Sequence, residues 1–254
     1  MANRFTDRTV LVTGAAGQIG TACAAAFAAE GADVVAVDRA RCPVEYDGIF
    51  NLVEDLTADG AIPAIFDAAE ARFGPVSVIA QCAAGHGRMP YLQLTPERID
   101  EVFAINVKVP LLVGSIGGAR MVEHGVIGGS IVNLTSISGV ISHAESVAYE
   151  ASKGAVTMAT KGMANALAPH GIRVNAVGPG VMVKLQEIDG VREPDALAPF
   201  ERQRIPLRRY GTPDEIAEAV LFLSSGAASY ITGTVLYADG GALSAWASHE
   251  EEAA

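Results

Sequence analysis

The stretch Thr13-Gly14-Ala15-Ala16-Gly17-Gln18-Ile19-Gly20 follows a β-branched run, Thr9–Thr13, and leads into an alanine-rich helical segment, Thr21–Glu30. Strand, glycine turn and helix in that order are what a pyrophosphate site needs. One glycine lets the chain turn tightly, one lets the backbone approach phosphate oxygens, and one lets helix and sheet pack closely. The amino end of the helix, where Gln18, Ile19 and Gly20 lie, offers free N–H groups and a positive dipole. Glycine turns after strands also occur with no ligand, so the turn alone leaves both readings open.

Asp38 narrows the choice. It ends a second apolar strand, Asp33–Asp38, about 20 residues beyond the glycines, where a carboxylate can accept hydrogen bonds from both ribose hydroxyls of a dinucleotide. The same charge repels a 2′-phosphate, so the expected cofactor is NAD rather than NADP, with the adjacent Arg39 as the one residue that argues the other way. An exposed strand-end aspartate with no ligand is the plain alternative.

Working outward, short β-branched runs recur at Ile49–Val53, Val76–Ala80, Ser130–Leu134, Arg173–Gly178 and Val235–Ala238, nearly all separated by helical stretches. Continuous apolar strands joined by helical crossovers predict an α/β fold with a doubly wound parallel sheet, Rossmann-like, in one domain. Thr95-Pro96-Glu97 and Thr212-Pro213-Asp214-Glu215 read as helix starts, the second as a capping box. Residues 184–210 have charges, prolines and weak periodicity, which predicts a substrate lid, with a poorly ordered excursion as the alternative. Residues 248–254 predict a frayed tail.

Half of the 254 residues are apolar, enough for one substantial core, and 18 Lys plus Arg stand against 29 Asp plus Glu. A net charge of -11 with no basic cluster makes nucleic acid and anionic membranes poor partners. Cys23, Cys42 and Cys82 form no CxxC pair, no metal site is expected, and a reducing, cytoplasmic setting fits this usage. Nothing near Met1 reads as a secretory signal.

The chemistry sits later in the chain. Tyr149 and Lys153 are four residues apart at helical spacing, one turn and ~6 Å along the axis. A neighbouring ammonium stabilises a phenolate, bringing a group with a pKa of about 10 toward use as a base. Ser136 lies just past a strand's carboxyl end, where open α/β sheets bind ligands, and can hold a substrate oxygen. The Tyr/Lys pair alone is equally an aromatic core residue beside a lysine whose stem packs; its order after the glycine turn, Asp38 and Ser136 is what favours chemistry. Asn106 falls on an apolar stripe with Ile99, Val102, Phe103, Val109 and Val113. A carboxamide there either bridges buried groups or holds water in a functional site.

From Thr9 to about Gly241 the chain resembles the short-chain dehydrogenase/reductase family. The resemblance rests on Thr13–Gly20, Asp38, Asp55-Leu56-Thr57, Asn106, Ile131-Val132-Asn133 leading to Ser136, Tyr149-Glu150-Ala151-Ser152-Lys153, Asn175–Gly180, Thr232-Gly233 and Asp239-Gly240-Gly241. It implies Tyr149 as general acid/base, Ser136 as the group that orients the carbonyl or alcohol oxygen, Lys153 on the nicotinamide ribose, and Asn106 on a relay water. It also implies Gly14, Gly17, Gln18, Ile19 and Gly20 on the pyrophosphate, Asp55 and Leu56 by the adenine, Ala83 and Ala84 along the cofactor, and Pro179, Gly180 and Met182 against the nicotinamide. A homotetramer is implied as well.

Four departures from the family pattern stand out. The middle glycine comes one place early, at Gly17. Gln81-Cys82-Ala83-Ala84 replaces Asn-Asn-Ala-Gly, Lys184 replaces a threonine, and the connection from Asp38 to Asp55 is short, with Cys42-Pro43 opposing a full helix. The expected reaction is oxidation of a secondary alcohol or cyclic diol to its ketone or enol with NAD. A 3-oxoacyl thioester reductase using NADPH and a non-catalytic NAD-sensing regulator are the alternatives. His86, Met89, His143, Met182 and the 184–210 segment are candidates for the substrate pocket, each equally readable as ordinary packing.

Overall fold

Alternate residues of the β-branched runs face opposite sides of one sheet, and both sides are covered. The computed structural model describes residues 3–85, 88–183, 185–188, 191–194 and 204–244. Its strands are β1 (Thr9–Thr13), β2 (Asp33–Asp38), β3 (Ile49–Val53), β4 (Val76–Gln81), β5 (Ser130–Leu134), β6 (Arg173–Pro179), β7 (Leu185–Ile188), β8 (Val191–Pro194) and β9 (Val235–Ala238). Seven pair in parallel in the order β3-β2-β1-β4-β5-β6-β9, while β7 and β8 form a separate antiparallel pair.

Val10, Val12, Val34, Ala36, Val78, Ala80 and Val132 pack on one side with α1 (Gln18–Ala29) and α6 (Pro213–Ser224). Leu11, Val35, Val37, Ile79, Ile131 and Val174 pack on the other with α2 (Ala61–Phe73) and α4 (Val109–Glu123). This is the period-2 consequence of a strand buried on both faces. The chain builds outward from β1 to β3, then returns to place β4 on the other flank of β1. That reversal opens a crevice at the strands' carboxyl ends.

The helix starts form as the threonines predict. Thr95 Oγ1 accepts from Arg98 N (3.3 Å) at the start of α3 (Pro96–Phe103), and Thr212 and Glu215 close a reciprocal box at the start of α6. Between α3 and α4, Ala104–Lys108 form a π-helical turn, so Pro96–Glu123 runs on as one helix. It is long and apolar enough to cross a membrane, but Val109, Val113 and Met121 pack with Ile79 and Ile131 in the core. The connection after Asp38 contains no helix through Asp47, as Pro43 predicts. Of the expected lid, the β7–β8 pair is described and Ile205 is buried beside Gly240, whereas 184, 189–190 and 195–203 lie outside the described residues, as do the 248–254 tail and His86.

Candidate active site

The glycine turn is built around two contacts that leave no room for a side chain. Gly14 has φ +68°, and a Cβ on it would stand 2.5 Å from Ala83 N; a Cβ on Gly20 would stand 2.0 Å from Gly14 O. The turn from β1 thus touches both the crest after β4 and the first turn of its own helix. Gly17 occupies the cap position of α1 with no side-chain cap, so the helix's first N–H groups, beginning at Gln18 and Ile19, are not taken by a side chain. Asp38 braces the turn, accepting from Ala16 N (3.0 Å) and Ala40 N (3.3 Å). A cavity of about 820 Å³ opens here, lined by Gly14, Gly17, Asp38, Asp55, Leu56, Ala83 and Ala84 among others. Thr57 donates to Asp55 through its N–H and hydroxyl, holding that carboxyl below its ordinary range.

A second group of candidate residues lies beside the carboxyl end of β5. Tyr149 and Lys153 lie on α5 (Val147–Leu167), with Lys153 Nζ 5.7 Å from the Tyr149 ring centroid. Lys153 is buried and donates to Leu134 O (2.8 Å), and desolvation pulls its pKa down to about 8. Burial pushes the Tyr149 phenol upward, while a hydrogen bond with Ser136 pulls it the other way. Ser136 caps the short turn after β5, accepting from Ser138 N (3.1 Å). The ordering glycine turn, carboxylate, serine, tyrosine and lysine therefore converges on one rim of the sheet.

The sequence profile described as Enoyl-(Acyl carrier protein) reductase matches residues 14–242. The chain is 35% identical over 248 residues to 3beta-hydroxysteroid dehydrogenase 1 of Eggerthella lenta, covering 92% of this chain and 93% of that one. It is 37% identical to Galactitol 2-dehydrogenase (L-tagatose-forming) of Cereibacter sphaeroides, covering 94% and 96%. Carbonyl reductase [NADPH] 2 of Sus scrofa is 34% identical, covering 96% and 99%. A solved short chain dehydrogenase of Leptospira borgpetersenii with bound NAD+ superposes with a TM-score of 0.85 at 29% identity, covering 94% of each chain. The chain belongs to the short-chain dehydrogenase/reductase family. Its named relatives are oxidoreductases of CH–OH groups.

Within this short-chain dehydrogenase/reductase, several expected residues have more specific positions than spacing reveals. Asn106 sits in the π-helical turn, accepts from Gly85 N (2.8 Å), and donates to Gly85 O (3.0 Å) and Ser152 Oγ (3.0 Å). Its side chain ties the loop after β4 to α5. Burial raises the Tyr149 phenol against the pull of its hydrogen bond with Ser136, while the Lys153 ammonium bonds Leu134 O and stands over the ring face. Gln81, in place of the family's asparagine, still braces the sheet. Its Nε2 donates to Asn133 Oδ1 (2.9 Å) and Pro110 O (3.1 Å), and Asn133 passes the network to Thr160 on α5.

Pro179 ends β6, and Gly180 donates to Ala238 O (3.0 Å) with no space for a Cβ beside Asp239. Met182 bridges to Gly211 and packs against the core, so its sulfur supports this wall. Met89 N donates to Glu145 O (2.8 Å) and His143 N to Glu150, linking the loops beside Tyr149. Lys184 lies outside the described residues. The sequence reading missed Glu54, Arg98 and Glu101 on the cavity wall. Arg98 and Glu101 are an i,i+3 pair that reads as a solvated helix face, and only the sheet order brings them to the crevice.

Proposed function

We propose that this enzyme interconverts a secondary alcohol or cyclic diol and its ketone, with NAD as hydride carrier and Tyr149 as general acid/base. The observation that carries this is the Ser136–Tyr149 hydrogen bond beside a buried Lys153, at the same rim of the sheet as the uncapped helix and Asp38. The tight turn that Gly14 and Gly20 permit and the free helix end fit a pyrophosphate, with Gln18 and Ile19 at its N–H groups and Asp38 toward the ribose. Asp55, Leu56, Ala83 and Ala84 line the crevice, and in this reading Pro179, Gly180 and Met182, at and after the end of β6, lie against the nicotinamide. A bound nicotinamide supplies the hydride acceptor or donor.

The chain's own residues handle the oxygen and its proton. Ser136 orients the substrate oxygen, and Tyr149 gives the proton to a carbonyl or takes it from an alcohol. Because burial keeps the phenol protonated near neutrality, carbonyl reduction starts from the resting state and alcohol oxidation gains as pH rises. Exposed apolar side chains on α4 and α5, including Leu111, Leu112 and Met158, support a homotetramer.

The matched profile's description, a reductase of carrier-protein-linked acyl chains, bears on one second reading, a 3-oxoacyl thioester reductase using NADPH. The Asp38 charge at the crevice opposes it. A screen of cyclic, aromatic and acyclic alcohols for NAD reduction, followed by NADH against NADPH on the resulting ketone, separates the two. Preference for NADH is the expected outcome; strong preference for NADPH, or activity confined to acyl thioesters, overturns the reading.

A further inference from the structure

Beneath the crevice lies a pair of thiols that the proposed chemistry does not use. Cys82 follows β4 and lines the cavity beside Gly14 and Ala83, while Cys23 lies on the buried face of α1 with no exposure. Their sulfurs are 3.9 Å apart although the residues are 59 positions apart in sequence. The third thiol, Cys42, is buried in the connection after β2, where its N–H is held by Asn51. We infer that Cys23 and Cys82 are a dithiol site for hydroperoxides, and that the disulfide it forms weakens dinucleotide binding.

The two sulfurs have unequal access, which sets the order of events. Cys82 is half-buried and lines the crevice, whereas Cys23 has no exposure, and its hydrogen bond with Cys82 together with burial keeps its thiol protonated. The Cys82 sulfur attacks the peroxide O–O bond, forming S–OH and releasing an alcohol or water. The Cys23 sulfur then attacks that sulfur, the S–S bond forms, and the S–O bond breaks. The departing hydroxyl leaves as water with the Cys23 proton. Two thiols thereby lose two electrons and two protons, and the peroxide is reduced.

Closing the pair must move the crest. A disulfide holds its sulfurs near ~2.05 Å, so they approach by roughly 1.9 Å in a region with no slack. Cys82 N donates to Thr13 O (3.1 Å), and the Cys82 carbonyl carbon stands 2.7 Å from where a Gly14 Cβ would be. A pull on Cys82 toward α1 is therefore felt by the glycine turn, and by linkage a bound dinucleotide resists the closure.

The test treats the purified full-length enzyme with hydrogen peroxide, with and without NAD, and reads non-reducing intact mass, a peptide map and NAD affinity by titration. Expected are the loss of two hydrogen masses, one Cys23–Cys82 cross-linked peptide, and NAD affinity about tenfold weaker, restored by dithiothreitol. Saturating NAD slows the cross-link. Cys23→Ala keeps basal activity and gains oxygen adducts on Cys82 in place of the cross-link. Adducts on wild-type Cys82 with no cross-link, pairing through Cys42, or a cross-link that leaves NAD affinity unchanged would overturn the inference. The effect on binding rests on the dinucleotide reading of the crevice, whereas the peptide map does not. Failure of that reading shows separately, as reduced enzyme that does not bind NAD.

Discussion

A lysine ammonium removed from water keeps its charge only at a cost, and Lys153 shows that cost directly. Burial brings its pKa from 10.5 to about 8, although Leu134 O accepts one of its protons. Between those values the unfolded chain binds a proton that the folded chain has released, so stability rises with pH from about 8 to 10.5 and the gain is lost again as pH falls through the folded value. The wild-type rise is on the order of 3 kcal/mol more than that of Lys153→Met across this window. Denaturant midpoints of both proteins from pH 7 to 10.5 measure it; parallel pH curves would place the lysine in water. At this scale the sequence was legible for identity and order. Ser136, Tyr149 and Lys153 do converge, because strand ends and helical spacing dictate where they point. What spacing could not carry was burial, and burial decides that the phenol is raised rather than lowered. The same limit applies to Asn106, whose two readings differ only in which groups surround it.

Strand bounds were read well across the parallel sheet, including the partly exposed β3 and β9. Five of the seven sheet strands coincide with the expected bounds; β4 runs one residue further to Gln81 and β6 one further to Pro179. The strand continues through Gln81, whose amide is bonded to Asn133 and Pro110. The β7–β8 pair was not legible, since each strand is four residues long and pairs only with the other. The turn between β1 and α1 is the element on which most depends. A methyl on Gly20 meets the Gly14 carbonyl, so Gly20→Ala forces helix and strand apart. Overpacking of this kind costs about 1–3 kcal/mol. A fall in thermal midpoint together with weakened NAD binding is expected for Gly20→Ala, whereas Gly162→Ala, inside α5 with nothing near the added carbon, should raise the midpoint through helix propensity worth about 1 kcal/mol and leave NAD binding unchanged.

At the scale of the molecule, function follows from the reversal of strand order beside β1, which puts the Asp38 edge and the Tyr149 edge on one rim. The alternation of strands and helices made that topology legible. The residues lining the far wall of the crevice, Arg98 and Glu101 among them, were not, because their position depends on where α3 crosses the sheet. The proposed tetramer has a mass of about four times the 26.2 kDa chain, which light scattering after size exclusion measures; a monomer would leave the exposed apolar faces of α4 and α5 unexplained. The central claim is that dinucleotide and proton carrier are separate parts of one crevice, and Tyr149→Phe tests it most directly. With NAD affinity measured alongside turnover of the alcohol found in the screen, turnover should fall about 10²–10⁴-fold while NAD binding stays within a few-fold of wild type. Near-normal turnover by Tyr149→Phe with NAD bound would contradict it.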